Sequence, residues 1–124
     1  MKRYKTKVFA KWARKERLRD NDLCEAAREI ERGQIDATLG KVLVKKRIAR
    51  EGGGKSGGYR TVVMFRAGSR MVFLYGFPKS AKGNLSVTEL EAYQALAKIF
   101  DKLPEGDLAA LCERGELKEL ICDE

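Results

Sequence analysis

The chain has no histidine among its 124 residues. Histidine is the usual acid or base near neutral pH, and it activates the nucleophile in serine and cysteine triads. Its absence excludes those triads, histidine metal sites and ribonuclease mechanisms that use paired histidines. Any acid–base chemistry must therefore use Lys, Arg, Tyr, Asp or Glu side chains.

Cysteine and long apolar segments are also scarce. The three cysteines, Cys24, Cys112 and Cys122, are odd in number and lack metal-ligand spacing. We therefore expect free, largely buried thiols, and neither a metal nor a cofactor. No apolar run approaches the ~18 residues of a membrane span, and the basic N-terminus lacks the apolar segment of a secretory signal. These features predict a cytoplasmic protein without a membrane partner.

Acidic residues are almost missing from the middle of the chain. Residues 41–82 hold 11 cations and one anion, Glu51, whereas residues 83–124 hold 4 cations and 10 anions. Residues 1–40 lie between these extremes, with 11 cations and 7 anions. A cationic middle favours a polyanionic partner, for which nucleic acid is the common choice. The alternative is a basic face that only contacts solvent.

Hydrophobic spacing predicts one α+β domain over residues 1–124. We expect two N-terminal helices packed on a small antiparallel-dominated sheet, followed by a C-terminal helix. Ser86 and Glu89 form a capping box that opens this later helix. The predicted hairpin turns at residues 67–69, and its second strand, 71–77, is apolar on both faces and therefore central in the sheet.

Two cation-bearing loops bracket the predicted hairpin. The glycine-rich residues 52–60 precede its first strand, and the basic residues 78–82 follow its second. Gly54-Lys55-Ser56 matches the end of a phosphate-binding P-loop, but β-forming residues follow it where that motif needs a helix. The two loops instead predict a site for an RNA or DNA backbone.

Individual residues within this region favour phosphate binding. Arg60 begins a mostly buried strand, where a guanidinium needs an anion, and the nearby sequence offers almost no carboxylate. Lys79 and Lys82 follow the end of the central strand. Trp12 is expected to pack in the core. The residues expected to contact the nucleic acid around this site are Lys45, Lys46, Arg47, Tyr59 and Arg70, although Tyr59 is equally suited to packing in a strand.

The order of several short motifs resembles the RelE/ParE superfamily of bacterial toxins, and within it the HigB-like group of RelE toxins. The resemblance covers roughly residues 3–103, while the acidic extension 104–124 contributes little. The segments that carry it are residues 9–13, 39–41 with 45–47, 54–60, 75–79, Asn84 and Glu89-Leu90.

This resemblance implies a toxin that cuts messenger RNA in the ribosomal decoding site without a metal, and that a small antitoxin neutralises. The implied phosphate-binding arginine is Arg60, and the basic residue after the central strand is Lys79, with Lys82 nearby. The implied basic residue of the preceding strand is Lys55, or else Lys45 and Arg47. No residue matches the tyrosine that some members use late in the chain, so the resemblance leaves the general base unassigned.

Three alternatives remain open from the sequence. A ParE-like toxin would act on DNA gyrase and would need no RNA-cleaving cluster. A non-enzymatic RNA- or DNA-binding domain would also be rich in cations. In the third alternative, the acidic residues 104–124 fold over the basic site, inhibit it and replace a separate antitoxin. Otherwise we expect the antitoxin to carry a helix-turn-helix.

Overall fold

A computed structural model describes residues 1–50, 54–80 and 84–123, with side chains for all of these except 50 and 54–57. None of the helices in these ranges is long and apolar enough to cross a lipid bilayer. The helices are α1 (Lys7–Lys15), α2 (Asp20–Glu31), α3 (Val87–Lys102) and α4 (Glu105–Glu113). The strands are β1 (Lys2–Thr6), β2 (Ala37–Thr38), β3 (Leu43–Arg50), β4 (Gly54–Arg66), β5 (Arg70–Pro78) and β6 (Leu117–Glu119).

The strands form one sheet in the order β2-β3-β4-β5-β1-β6. Only the β1–β5 pair is parallel within the described sheet, and the other pairs are antiparallel. The predicted α+β class with an antiparallel-dominated sheet is therefore confirmed. The predicted hairpin is also found, because Ser69 N donates to Arg66 O at 3.0 Å across a turn in which Gly68 has φ 74°.

Helices cover both faces of the sheet and create two cores. The first core joins α1 and α2 to one face through Phe9, Leu23, Ile30, Val63 and Phe73. The second core joins α3 and α4 to the other face, and its members include Val62, Met64, Val72, Phe100 and Leu108. Because alternate strand residues point to opposite faces, these assignments show which face each site residue occupies.

A bulge in strand β5 interrupts the alternation of its side chains between the two faces of the sheet. Val62 pairs with Tyr75 and Val63 with Phe73, so Leu74 is the extra residue on β5. Before the bulge, Phe73 lies in the first core, whereas Tyr75 after it packs against the second core. Gly76 consequently faces α1, where a Cβ at this position would overlap the six-membered ring of Trp12. The Trp12 ring takes the place that a side chain at residue 76 would need.

Replacing Gly76 with alanine should destabilise the fold, because the Trp12 ring must move. Overpacking of this kind costs about 1–3 kcal/mol, and a thermal melt would show a lower midpoint. Gly106→Ala is the matched control, since a Cβ there meets nothing within 4 Å. An unchanged midpoint for Gly76→Ala would show that the Trp12 ring has room to shift.

The predicted free state of the cysteines is wrong for two of the three. Cys24 on α2 and Cys122 in the tail form a disulfide across a separation of 98 residues. The tail reaches α2 because β6 pairs with β1, and Leu120 N donates to Arg3 O at 2.7 Å just beyond it. Cys112 is the free cysteine in the described ranges. Burial raises the pKa of its thiol, and the nearby Glu119 carboxylate raises it further.

Candidate nucleic-acid site

Arg60 stands at the centre of a row of residues that crosses three strands. It pairs with Arg47 on β3 and with Phe77 on β5. Val62 belongs to the second core, so Arg60, two residues earlier on β4, lies on the same face as α3. The strand pairing and the bulge therefore place the guanidinium groups of Arg60 and Arg47 and the ring of Phe77 side by side.

The Arg60 side chain is buried without compensation from the described residues. The residue is 8% exposed, and its Nη1 atom is buried with no hydrogen-bond partner in the ranges that the structure describes. No carboxylate in those ranges forms an ion pair with it. A buried charge without a partner costs several kcal/mol, roughly, so an anion that reaches this group would be strongly favoured.

Arg47 is fixed beside Arg60 by one carboxylate. Its Nε donates to Asp36 Oδ1 and its backbone N to Asp36 Oδ2, both at 2.6 Å, while its side chain stays 43% exposed. Burial alone would raise the pKa of Asp36, but the two hydrogen bonds from Arg47, together with the positive charges of Arg47 and Lys46, outweigh it and hold that pKa below the usual value. Asp36 therefore stays ionised and orients Arg47, whose exposed end faces solvent.

Lys45 and Lys79 lie near the two arginines. We call these four residues, Lys45, Arg47, Arg60 and Lys79, the cationic cluster. Lys45 Nζ donates to Asn84 Oδ1 at 3.0 Å, which ties β3 to the segment before α3. Lys79 is exposed, and its backbone N donates to Gly58 O, two residues before Arg60 on β4, at 3.2 Å. The cluster thus lies where the β4–β5 hairpin meets the N-terminal end of α3.

Lys46 lies outside the cationic cluster. It is 4% exposed and points to the face of α2, where Nζ forms an ion pair with Glu29 at 2.8 Å and donates to Gln34 O at 2.8 Å. The alternation of β3 separates it from Lys45 and Arg47, although the three are adjacent in sequence. Its contacts hold β3 on α2.

Arg70 and Tyr59 are also held by internal contacts. Arg70 is 5% exposed and donates to Phe100 O at 2.9 Å and Leu103 O at 2.5 Å, which caps the end of α3. Tyr59 is buried, donates from Oη to Glu16 O at 3.2 Å and contacts the Trp12 ring edge-on. Both side chains connect helices to the sheet rather than face the cluster.

Two further candidates fall outside what the structure describes. Lys82 lies outside the described residues, and only the backbone of Lys55 is described. Their assignment to the catalytic site remains a prediction from the sequence.

Tyr75 is a diagonal neighbour of Arg60 and contacts Glu89, although sequence reasoning placed neither residue in the site. Tyr75 stacks on Tyr93 with ring centroids 4.9 Å apart, and its Oη lies 3.5 Å from Glu89 Oε2. Glu89 Oε1 accepts from Ser86 N at 2.9 Å, as the predicted capping box requires. The signal that could have revealed the pair is Tyr75-Gly76-Phe77, where a glycine interrupts an apolar strand between two aromatics.

One of three comparisons with known proteins identifies a family for this chain. The family model described as the RelE toxin of the RelE / RelB toxin-antitoxin system matches residues 1–120. The match therefore continues through α4 and β6, beyond the motifs that carried the sequence resemblance. A search of curated proteins and a search of solved structures each find no significant match. Since the family model covers nearly all of the chain, this protein belongs to the RelE toxin family.

Proposed function

We propose that this toxin inhibits translation by cutting messenger RNA on the ribosome, and that it belongs to the HigB-like branch of its family. The observation that carries the proposal is the buried Arg60 guanidinium, whose Nη1 lacks a partner in the described ranges. A phosphate of the message is the anion that this group would bind. Membership of the RelE family supports a toxin, and the cationic cluster supports RNA as its target.

The chemistry that we propose needs no metal. RNA supplies its own nucleophile, the 2′-hydroxyl, so the protein must align it with the phosphate and stabilise the charge that builds up there. Arg60 would hold the phosphate, with Arg47 and Lys45 beside it on the same face. Lys79 would approach from the end of β5. The ribosome would hold the message in the required geometry.

A small antitoxin is the expected inhibitor, and the structure gives a reason to prefer it to an internal brake. The strand β6 pairs with β1, so that β5 and β1 separate it from β4. Beyond β6, Asp123 O accepts a hydrogen bond from Arg28 on α2 at 3.3 Å. The described part of the acidic tail therefore lies away from the cationic cluster. A separate acidic or extended partner would have to cover that cluster.

Induction of the protein should arrest growth and cut messages only where ribosomes are present. Primer extension on a defined message, with purified protein and with or without ribosomes, measures this directly. A chelator should leave the cleavage unchanged, and co-expression of the protein encoded beside the toxin should restore growth. Intact messages with inhibited DNA gyrase would instead indicate a ParE-like toxin, and intact messages with active gyrase would leave a nucleic-acid-binding domain.

A further inference from the structure

The bulge at Leu74 turns Tyr75, which contacts an oriented carboxylate, to the face of the sheet that carries Arg60. Tyr75 pairs with Val62, the next residue after Arg60 on the same face of β4, so the two side chains are diagonal neighbours. The Tyr75 hydroxyl reaches Glu89 Oε2 at 3.5 Å. Asn84, which holds Lys45, begins the same segment that leads into α3. Glu89 thus contacts the side chain that is the diagonal neighbour of Arg60.

Both oxygens of Glu89 are directed by their neighbours. Oε1 accepts the backbone N–H of Ser86, which fixes the carboxylate at the start of α3. Oε2 faces Tyr75, whose ring is stacked on Tyr93 at an interplanar angle of 17° and lies 5.6 Å from the Phe77 ring. A capping box alone uses one carboxylate oxygen, so the contact of the second oxygen with Tyr75 is one that capping does not require.

We propose that Glu89 is the general base of this toxin, and that Tyr75 is a positioning residue that orients it. The inference rests on the proposed function, because it names the group that accepts the proton of the 2′-hydroxyl. A chain without histidine needs another base, and a carboxylate held through Tyr75, the diagonal neighbour of a phosphate-binding arginine, supplies one. The substrate is a ribonucleotide linkage whose phosphate is bound by Arg60.

The proposed step balances without any further reactant. The 2′-oxygen transfers its proton to Glu89 and forms a bond to phosphorus, while the bond between phosphorus and the 5′-oxygen breaks. The 5′-oxygen leaves with a proton from the Lys79 ammonium group. The products are a 2′,3′-cyclic phosphate and a 5′-hydroxyl. Water then returns the proton to Lys79 and removes the one on Glu89.

Glu89→Gln separates catalysis from capping, because a glutamine side chain also completes a capping box. We expect its single-turnover cleavage rate on programmed ribosomes to fall by about 10²–10⁴-fold. The toxin concentration that gives half the maximal rate and the melting temperature should both stay unchanged. Glu91→Gln is the matched control: it makes the same change two residues later on the exposed surface of α3, and its rate should equal that of the unaltered protein.

Tyr75→Phe tests the positioning role. It removes the hydroxyl that faces Glu89 but keeps a ring to stack on Tyr93. We expect the maximal rate to fall by up to about tenfold, as for one lost hydrogen bond, with the half-saturating concentration unchanged. A change in half-saturation or in melting temperature without a change in maximal rate would show that Tyr75 only supports the fold.

A modified message distinguishes a base from an acid. In this message, sulfur replaces the 5′-oxygen at the mapped cleavage position. The sulfur leaves without a proton, so the modified message should restore the cleavage rate of a variant that lacks the general acid but not of one that lacks the general base. Glu89→Gln should stay slow on this message, and recovery would overturn the assignment. Full activity of Glu89→Gln on the ordinary message, beside an inactive Arg60 variant, would overturn only the base. Absence of cleavage by the unaltered protein would overturn the proposed function as well.

Discussion

Arg60→Met is expected to remove most of the toxin's activity without lowering its stability. Loss of one preorganised charge contact to a transition state typically costs roughly 10²–10³ in rate. Arg60 Nη1 is buried without a described partner, and replacing an uncompensated buried charge with an apolar side chain of similar length is often neutral or stabilising. A cleavage assay on programmed ribosomes beside a thermal melt would measure both effects.

The control for this variant is Arg66→Met on the same strand. Arg66 is 47% exposed at the other end of β4 and pairs with Asp101 at 2.9 Å. This variant should cleave normally, although the loss of its contacts with Asp101, whose side chain is 23% exposed, should lower the melting midpoint. If Arg60→Met unfolds early, Arg60 is a structural residue; if it is folded and fully active, the site lies elsewhere, with Lys45 and Arg47 as the next candidates.

Reduction of the Cys24–Cys122 disulfide should produce the largest change in stability. The bridge closes a loop of 98 residues, and such cross-links typically contribute about 2–4 kcal/mol by restricting the unfolded chain. A loss of this size corresponds to a fall of roughly 10 °C in the melting midpoint of a chain this long. Thermal melts with and without a reductant would measure the difference.

Cysteine variants provide the controls for the reduction experiment. A Cys24→Ser, Cys122→Ser double variant should melt at the lower temperature whether or not reductant is present, and Cys112→Ser should behave as the unaltered protein does. Titration should find one reactive thiol in the oxidised protein. Three reactive thiols and a melting midpoint that does not change with reductant would support the prediction of free thiols. Free thiols are the state that a reducing compartment imposes.

The parts of the fold that depend on neighbouring residues were predictable from the sequence. The capping box at Ser86 and Glu89 and the turn at Gly68 each involve residues at most a few positions apart. The central position of β5 followed from apolar residues on both of its faces, and the structure places it between β4 and β1. In these cases the local pattern and the tertiary structure agree.

The candidate site was only partly predictable, because contacts with residues distant in sequence decide which basic side chains belong to it. Lys45 and Lys46 are adjacent lysines, yet one reaches Asn84 and the other is buried against Glu29 on the opposite face. Arg70 was predicted to bind RNA from its charge, but it caps α3, 30 residues away. The disulfide similarly depends on the pairing of β6 with β1, for which the weak pattern of the tail gave little indication.

The bulge at Leu74 means that β5 can lose a residue more safely than it can lose its irregular pairing. If the strand kept its full length but paired without a bulge, Tyr75 and Phe77 would point toward α1, and Gly76 would face α3 with no side chain to offer. A chain that lacked Leu74 would instead alternate regularly from Phe73 to Phe77 and keep both aromatic residues on the face of Arg60. A single-codon deletion at this position would therefore cost one core side chain but preserve the site. Alignments with an unbulged strand should place a gap here, because an ungapped alignment would pair residues from opposite sides of the sheet.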